Sequence, residues 1–175
     1  AWGEAWTGAA QGVRDFLLCT LGTGVGGGAV VDGQLLVGAR GQGAEFGHQV
    51  VDPAGPECPC GRRGCVEAYA SARAIERATG CDPEILADQA RAGDADSAAA
   101  WARAGRALGL GFSQAARLLD VDTLVVGGGM APALDLMEPA LREVTDERLP
   151  YEVTVAQAAL APWSGAVGAA RWGME

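Results

Sequence analysis

Apolar residues fall into short solid runs at the front of the chain and into longer periodic stretches in its middle. Asp15 to Leu21 (Asp-Phe-Leu-Leu-Cys-Thr-Leu) is an apolar run stopped by glycines, the pattern of a buried strand. Ala29 to Val31 and Gln34 to Val37 read as two more strands, joined by Asp32-Gly33, a strong hairpin signal. Gln49 to Asp52 reads as a further short strand. Pro53 to Gly64 has no periodicity; such a loop folds poorly alone and a bound metal would organise it. Helical patterns follow. Cys65 to Thr79 is one, with Gly80 in place to end it. Glu84 to Ala92 is the next, opened by Asp82 and Pro83. A long helix then runs from a cap at Asp94 or Asp96 to about Leu119. Gly105 and Gly109 share a face of it, so a neighbouring element is expected to pack closely there. Val121 to Val126 is a strand entering Gly127-Gly128-Gly129. Ala133 to Arg148 is a helix that Pro139 would kink. Tyr151 to Ala158 alternates as a strand, and Ser164 to Trp172 is a last short helix. A front hairpin, then helices, then strand–helix–strand–helix, predicts an α/β fold.

The 175 residues suit one compact domain or one lobe of a two-lobed enzyme. An apolar share of 49% against 20% charged residues excludes a disordered chain. No apolar run approaches the ~20 residues of a membrane span, and the opening Ala-Trp-Gly-Glu-Ala-Trp is not a secretion signal. A cytoplasmic protein with no membrane partner is expected, and the missing initial Met points to a fragment. The net charge of −9 argues against nucleic-acid binding by this part of the protein. All 13 basic residues are Arg, so no lysine here can do phosphate or Schiff-base chemistry.

The sharpest chemical signal is His48, Cys58, Cys60 and Cys65. One imidazole and three thiolates form a closed tetrahedral zinc set, and soft sulfur ligands select zinc over magnesium or calcium. Gly61 and Gly64 let the chain wrap between ligands, and Arg62 and Arg63 offset thiolate charge. With four protein ligands the zinc is structural. Its imidazole would still present the other N–H in a fixed direction. Cys19 lies in an apolar strand and Cys81 at a helix junction; neither reads as a ligand.

Two glycine clusters flank this centre. Leu21-Gly22-Thr23-Gly24-Val25-Gly26-Gly27-Gly28 follows a strand but lacks the Lys-Ser/Thr of a P-loop, and a hairpin rather than a helix comes next. It is either a strand–turn–strand loop whose N–H groups reach phosphate oxygens or a plain glycine-rich turn. Gly127-Gly128-Gly129-Met130 ends a strand and opens a helix, a place where α/β folds bind ligands or simply turn tightly. Glu45 and Glu67 are tied by the zinc loop to one neighbourhood. Two carboxylate acceptors and an imidazole N–H suit adjacent hydroxyls of a polyol, although either glutamate alone reads equally as a solvated surface group.

Gly43-Ala44-Glu45-Phe46-Gly47-His48 and Cys58-Pro59-Cys60-Gly61-Arg62-Arg63-Gly64-Cys65-Val66-Glu67 resemble the signature of the ROK family of repressors, open reading frames and sugar kinases. Leu21 to Gly28 resembles its second phosphate loop, and Gly127 to Met130 its adenosine motif. The resemblance covers nearly the whole chain. It implies an actin-like ATPase (ribonuclease H-like) lobe, with a mixed sheet, flanking helices and a zinc loop over 48–65. It implies transfer of the γ-phosphoryl of Mg-ATP to a hexose, usually the 6-hydroxyl of glucose, commonly by a homodimer. By the same resemblance Glu45, His48 and Glu67 would hold the sugar, Gly22, Thr23 and Gly24 the phosphates, and Gly128 and Gly129 the adenosine. The family's N-terminal lobe, with its first phosphate motif, is absent. So is the Asn-Asp pair that supplies the general base just before the segment Ala1 to Ala10 resembles. Residues 1–175 therefore read as a C-terminal lobe without a catalytic residue, inactive alone. A sugar-responsive repressor, or a kinase for another sugar such as N-acetylglucosamine, are the other readings. Leu160 to Ala170 follows the family only loosely.

Overall fold

In the computed structural model, which describes residues 1–174, the hairpin expected around Asp32-Gly33 forms, with a longer first arm and a shorter second arm than the sequence indicates. Strand β1 (Phe16–Leu21) pairs antiparallel with β2 (Val25–Val31), and β2 with the two-residue β3 (Gln34–Leu35). The sequence places the second strand at Ala29 to Val31. It starts at Val25 because Gly26, Gly27 and Gly28 pair in register with Thr20, Cys19 and Leu18. Three glycines weaken a strand signal, yet one is required: a Cβ on Gly27 would meet the Phe46 side chain at 2.6 Å and the Ala44 carbonyl. The third strand stops at Leu35 rather than Val37, because the Val37 carbonyl accepts from Gly43 N–H at 2.9 Å and the chain folds back on itself. Gln49 to Asp52 is not a strand. Val50 makes a single bridge to Cys65, and the N–H groups of Val51 and Asp52 both donate to the Gly64 carbonyl.

Strand β4 (Thr123–Gly127) lies parallel to β1, and β5 (Thr154–Gln157), the paired part of the Tyr151 to Ala158 stretch, lies parallel to β4. The mixed sheet runs β3-β2-β1-β4-β5. Period-two alternation splits β1 between two cores. Leu17, Cys19 and Leu21 face one, and Phe16 and Leu18 the other.

The first core is covered by helices α2 (Glu67–Ala70), α3 (Ala72–Thr79), α4 (Pro83–Arg91), α5 (Ala95–Leu119) and α6 (Leu134–Arg148). Trp101, Leu108 and Phe112 of α5 and Met137 and Leu141 of α6 fill it. Gly105 and Gly109 do mark a close approach, and the neighbour is α6: a Cβ on Gly109 would sit 2.8 Å from the Leu141 carbonyl oxygen. Asp94 caps α5 by accepting from Ser97 N–H at 2.8 Å. Helix α6 runs through Pro139.

The predicted helix Cys65 to Thr79 starts at Glu67 and breaks at Ser71. There the backbone is extended (φ −88°, ψ 155°) and the hydroxyl caps α3 by accepting from Ala74 N–H. Ser71 is a better cap than helix interior. The second core is covered by α1 (Trp2–Thr7), on which the predicted C-terminal helix α7 (Ser164–Trp172) packs. Helix α1 has six residues, too short for its periodicity to declare it. Among the described residues no helix is long and apolar enough to cross a membrane.

Candidate functional site

His48 ends a 3-10 turn (Phe46–His48) anchored by the buried Phe46 ring. Its Nδ1 lies 3.7 Å from Cys58 Sγ, and Cys60 Sγ lies 3.7 Å from Cys65 Sγ. The four donor atoms all fall within 4.8 Å of one another. Zinc–sulfur bonds of ~2.3 Å in a tetrahedron put neighbouring sulfurs about 3.8 Å apart, so the cluster fits a zinc ion.

The loop is built to hold this shape. Cys58 N–H donates to the Arg62 carbonyl at 2.8 Å and Gly61 N–H to the Cys58 carbonyl at 3.0 Å. Gly64, at φ +65°, leaves no room for a Cβ against the Asp52 carbonyl. The Arg62 backbone, helped by the neighbouring thiols, pulls the exposed Cys60 thiol down to about 6, while burial, reinforced by Cys60 and Cys58, pushes Cys65 up to about 12. Three touching thiols cannot all ionise without a cation between them. Cys19 is core, its thiol pushed up to about 12 by burial, and the half-buried Cys81 stands apart from the cluster.

Glu67 joins this cluster to the first glycine turn. Its Oε2 accepts from Val25 N–H at 2.9 Å, and its Oε1 lies 3.9 Å from Cys58 Sγ. Gly24 permits that approach, since a Cβ there would come within 2.7 Å of Oε2. The break at Ser71 serves the same turn: Ala72 N–H donates to the Gly22 carbonyl at 2.8 Å. Of the predicted phosphate loop only Gly22 to Gly24 is a turn; Val25 onward belongs to β2. Gly22 N–H is already used by the Gly24 carbonyl (3.0 Å). The N–H groups of Thr23 and Gly24 have no acceptor among the described residues.

Gly22, Gly24, Gly26, Glu67, Gly128 and Gly129 line one open depression of about 400 Å³. The second glycine turn reaches it because Gly128, at φ +88°, lies on the Leu21 backbone and Met130 N–H donates to the Leu21 carbonyl at 3.0 Å. Past Gly128 and Gly129 the depression continues into a cavity of about 420 Å³ walled by Gln157, Ala161, Pro162, Ser164 and Gly165. The structure thus brings together His48, Glu67 and both glycine turns. It leaves two predicted side chains at the margin. Glu45 is exposed and makes no side-chain hydrogen bond to a described residue. Thr23 lines a small crevice with Pro59 and Arg73 and is not among the residues that line the main depression.

The ROK family model matches residues 1–175. The chain belongs to the ROK family. Among curated ROK relatives, it is 36% identical to a glucokinase of Thermotoga maritima over 96% of the chain and 61% of that protein. It is 35% identical to an N-acetylmannosamine kinase of Citrobacter koseri over 97% of the chain and 60% of that protein. Among solved structures, a ROK hexokinase from Thermus thermophilus superposes with a TM-score of 0.87 at 35% identity, covering 97% of this chain and 60% of that one. A ROK family glucokinase from Streptomyces griseus in complex with glucose and AMPPNP gives 0.84 at 33% identity, over 98% of this chain and 64% of that one. A ROK family transcriptional regulator, homolog of the E. coli MLC protein, gives 0.87 at 26% identity, over 97% and 48%. The chain spans about three fifths of the length of the kinases it matches.

Three anchoring groups of this ROK chain had no signal in the sequence. The Tyr69 hydroxyl donates to Asp52 Oδ2 at 2.8 Å and braces the metal loop; burial, then Asp52, pushes that phenol up to about 12. Arg91 donates to both Asp135 oxygens and to the Pro132 carbonyl, tying α4 to the start of α6 beside Gly129. Glu4 of α1 is fully buried against the start of α7. Each is an ordinary surface residue type whose partner lies far away in sequence.

Proposed function

We propose that this chain is the C-terminal lobe of an ATP-dependent sugar kinase that transfers the γ-phosphoryl group of Mg-ATP to the 6-hydroxyl of glucose. Glu67 is the observation that carries the reading. One of its oxygens holds the glycine turn and the other faces the metal cluster. Phosphoryl transfer needs acceptor hydroxyl and phosphate held in one frame, and a single carboxylate spans the two halves of that frame here.

In this reading Glu45 and Glu67 accept from sugar hydroxyls. With His48 Nδ1 turned toward the thiols, its Nε2–H is the donor to a third. Zinc, when bound to His48, Cys58, Cys60 and Cys65, fixes the loop and the imidazole. The free N–H groups of Thr23 and Gly24 meet phosphate oxygens, Gly22 shapes the turn, and Gly128 and Gly129 receive the adenosine. No Arg or Lys lines the depression, so backbone N–H groups and the magnesium of Mg-ATP carry the charge balance. The proton of the attacking hydroxyl goes to a base outside residues 1–175, and this chain alone is inactive. The whole enzyme is a cytoplasmic homodimer.

A second reading, a sugar-responsive regulator, draws on the likeness to the MLC homolog; the higher identity to the kinases favours catalysis. A coupled ADP-release assay on the complete gene product, with Mg-ATP and a hexose panel, tests the proposal. The expected result is a kcat/KM for glucose at least tenfold above that for N-acetylmannosamine. Folded, zinc-loaded protein that turns over no sugar overturns the kinase reading in favour of the regulator.

A further inference from the structure

We infer that Glu4 is a positioning residue for the nucleotide: its carboxylate fixes the Ala159–Gly165 segment as the wall of the cavity that receives the adenosine end of ATP. The inference rests on the kinase reading above and assigns a role to a side chain which that reading leaves unused.

Glu4 has no exposed surface, and both of its oxygens are saturated. Oε2 accepts from Ala9 N–H at 2.8 Å and Ala159 N–H at 3.1 Å. Oε1 accepts from Leu160 N–H at 3.0 Å and from the Ser164 hydroxyl at 2.7 Å. Two of these four donors lie between β5 and α7, and a third, Ser164, is the first residue of α7. This stretch and the start of α7 contribute Ala161, Pro162, Ser164 and Gly165 to the cavity, opposite Gly128 and Gly129. Upstream it is anchored by Ala158 N–H donating to the Val126 carbonyl at 2.8 Å. Between that anchor and α7, Glu4 supplies the side-chain hydrogen bonds found among the described residues.

The surroundings are shaped for this carboxylate. A Cβ on Gly8 would fall on it, and a Cβ on Gly3 would meet Gly168 N at 2.9 Å, so glycines let α1 press against the start of α7. Burial alone would raise the carboxyl pKa, yet the Ser164 hydroxyl and the three N–H groups hold it below the ordinary glutamate range. The charge sits beside the first turn of α7, where it complements the helix dipole. That helix end is therefore occupied from within, and the nucleotide meets the other side of the segment. An amide cannot replace the carboxylate: its NH₂ would face two donors, whereas four converging donors need two acceptor oxygens.

Glu4→Gln, Glu4→Asp and Ser164→Ala in the complete gene product test the assignment. The readouts are the AMPPNP Kd by calorimetry, KM for ATP and for sugar, and zinc content. For Glu4→Gln we expect AMPPNP Kd and KM for ATP to rise at least tenfold, sugar KM to stay within twofold, and zinc to stay bound. Glu4→Asp should fall between Glu4→Gln and the wild type. Unchanged AMPPNP affinity, or equal losses of sugar and nucleotide affinity, overturns the inference. Should Glu4→Gln not fold, Ser164→Ala removes one donor only and should raise the AMPPNP Kd about threefold; no change there also overturns it. Wild-type protein that binds no AMPPNP sinks the kinase reading itself, a result distinguishable from failure of Glu4 alone.

Discussion

Gly128 shows how much one residue decides at this site. Its φ of +88° is open to glycine and costly for other residues, and it lies against the Leu21 backbone. Gly128→Ala is expected to cost about 2–4 kcal/mol from left-handed strain plus a backbone clash, read as a lower urea midpoint at unchanged m-value. Glu4 makes a different residue-scale prediction. Its folded pKa is depressed, so its contribution to stability is full above the unfolded glutamate value and is lost as pH falls through the folded one. Between about pH 5 and pH 3 the wild type should lose Tm more steeply than Glu4→Gln. Parallel acid limbs for the two proteins would show that Glu4 does not carry this linkage.

At the scale of elements, the α5–α6 contact is set by small residues. Gly105 packs on the Met137 carbonyl and Gly109 on that of Leu141. Gly105→Ala gains helix propensity of about 1 kcal/mol but forces the helices apart, at about 1–3 kcal/mol. Net destabilisation is expected in urea titration, and a net gain would mean that α6 slides without cost. The α5 cap is simpler: Asp94→Ala removes the bond to Ser97 N–H and should cost about 1 kcal/mol. The break between α2 and α3 also fixes the first glycine turn, because the released Ala72 N–H holds the Gly22 carbonyl.

For the whole molecule, the loop that groups His48 with the three cysteines is coupled to the sheet through Glu67, which faces Cys58 with one oxygen and holds Val25 of β2 with the other. Chelation of zinc is therefore expected to lower Tm and sugar affinity together, with one zinc per chain by elemental analysis of the untreated protein. Full sugar affinity after complete zinc loss would separate His48 from the sugar. Nucleotide affinity should fall less, because the cavity wall hangs from Glu4 at the far end of the sheet.

The sequence by itself determined what nearby residues can encode. The Asp32-Gly33 hairpin, the long α5, α7, and the grouping of His48, Cys58, Cys60 and Cys65 were legible because apolar runs, turn residues, caps and soft donor types act within a few positions of one another. The glycine runs were legible as turns but not as strand, since a glycine's reason lies in what approaches it: Phe46 against Gly27 and Glu67 against Gly24. The tertiary structure alone decided the partnerships. Glu67 and Val25 are 42 positions apart, Arg91 and Asp135 are 44, and Glu4 and Ala159 are 155. A carboxylate reads as a surface group until the fold surrounds it with donors, and that surrounding comes from chain segments whose meeting no local pattern records.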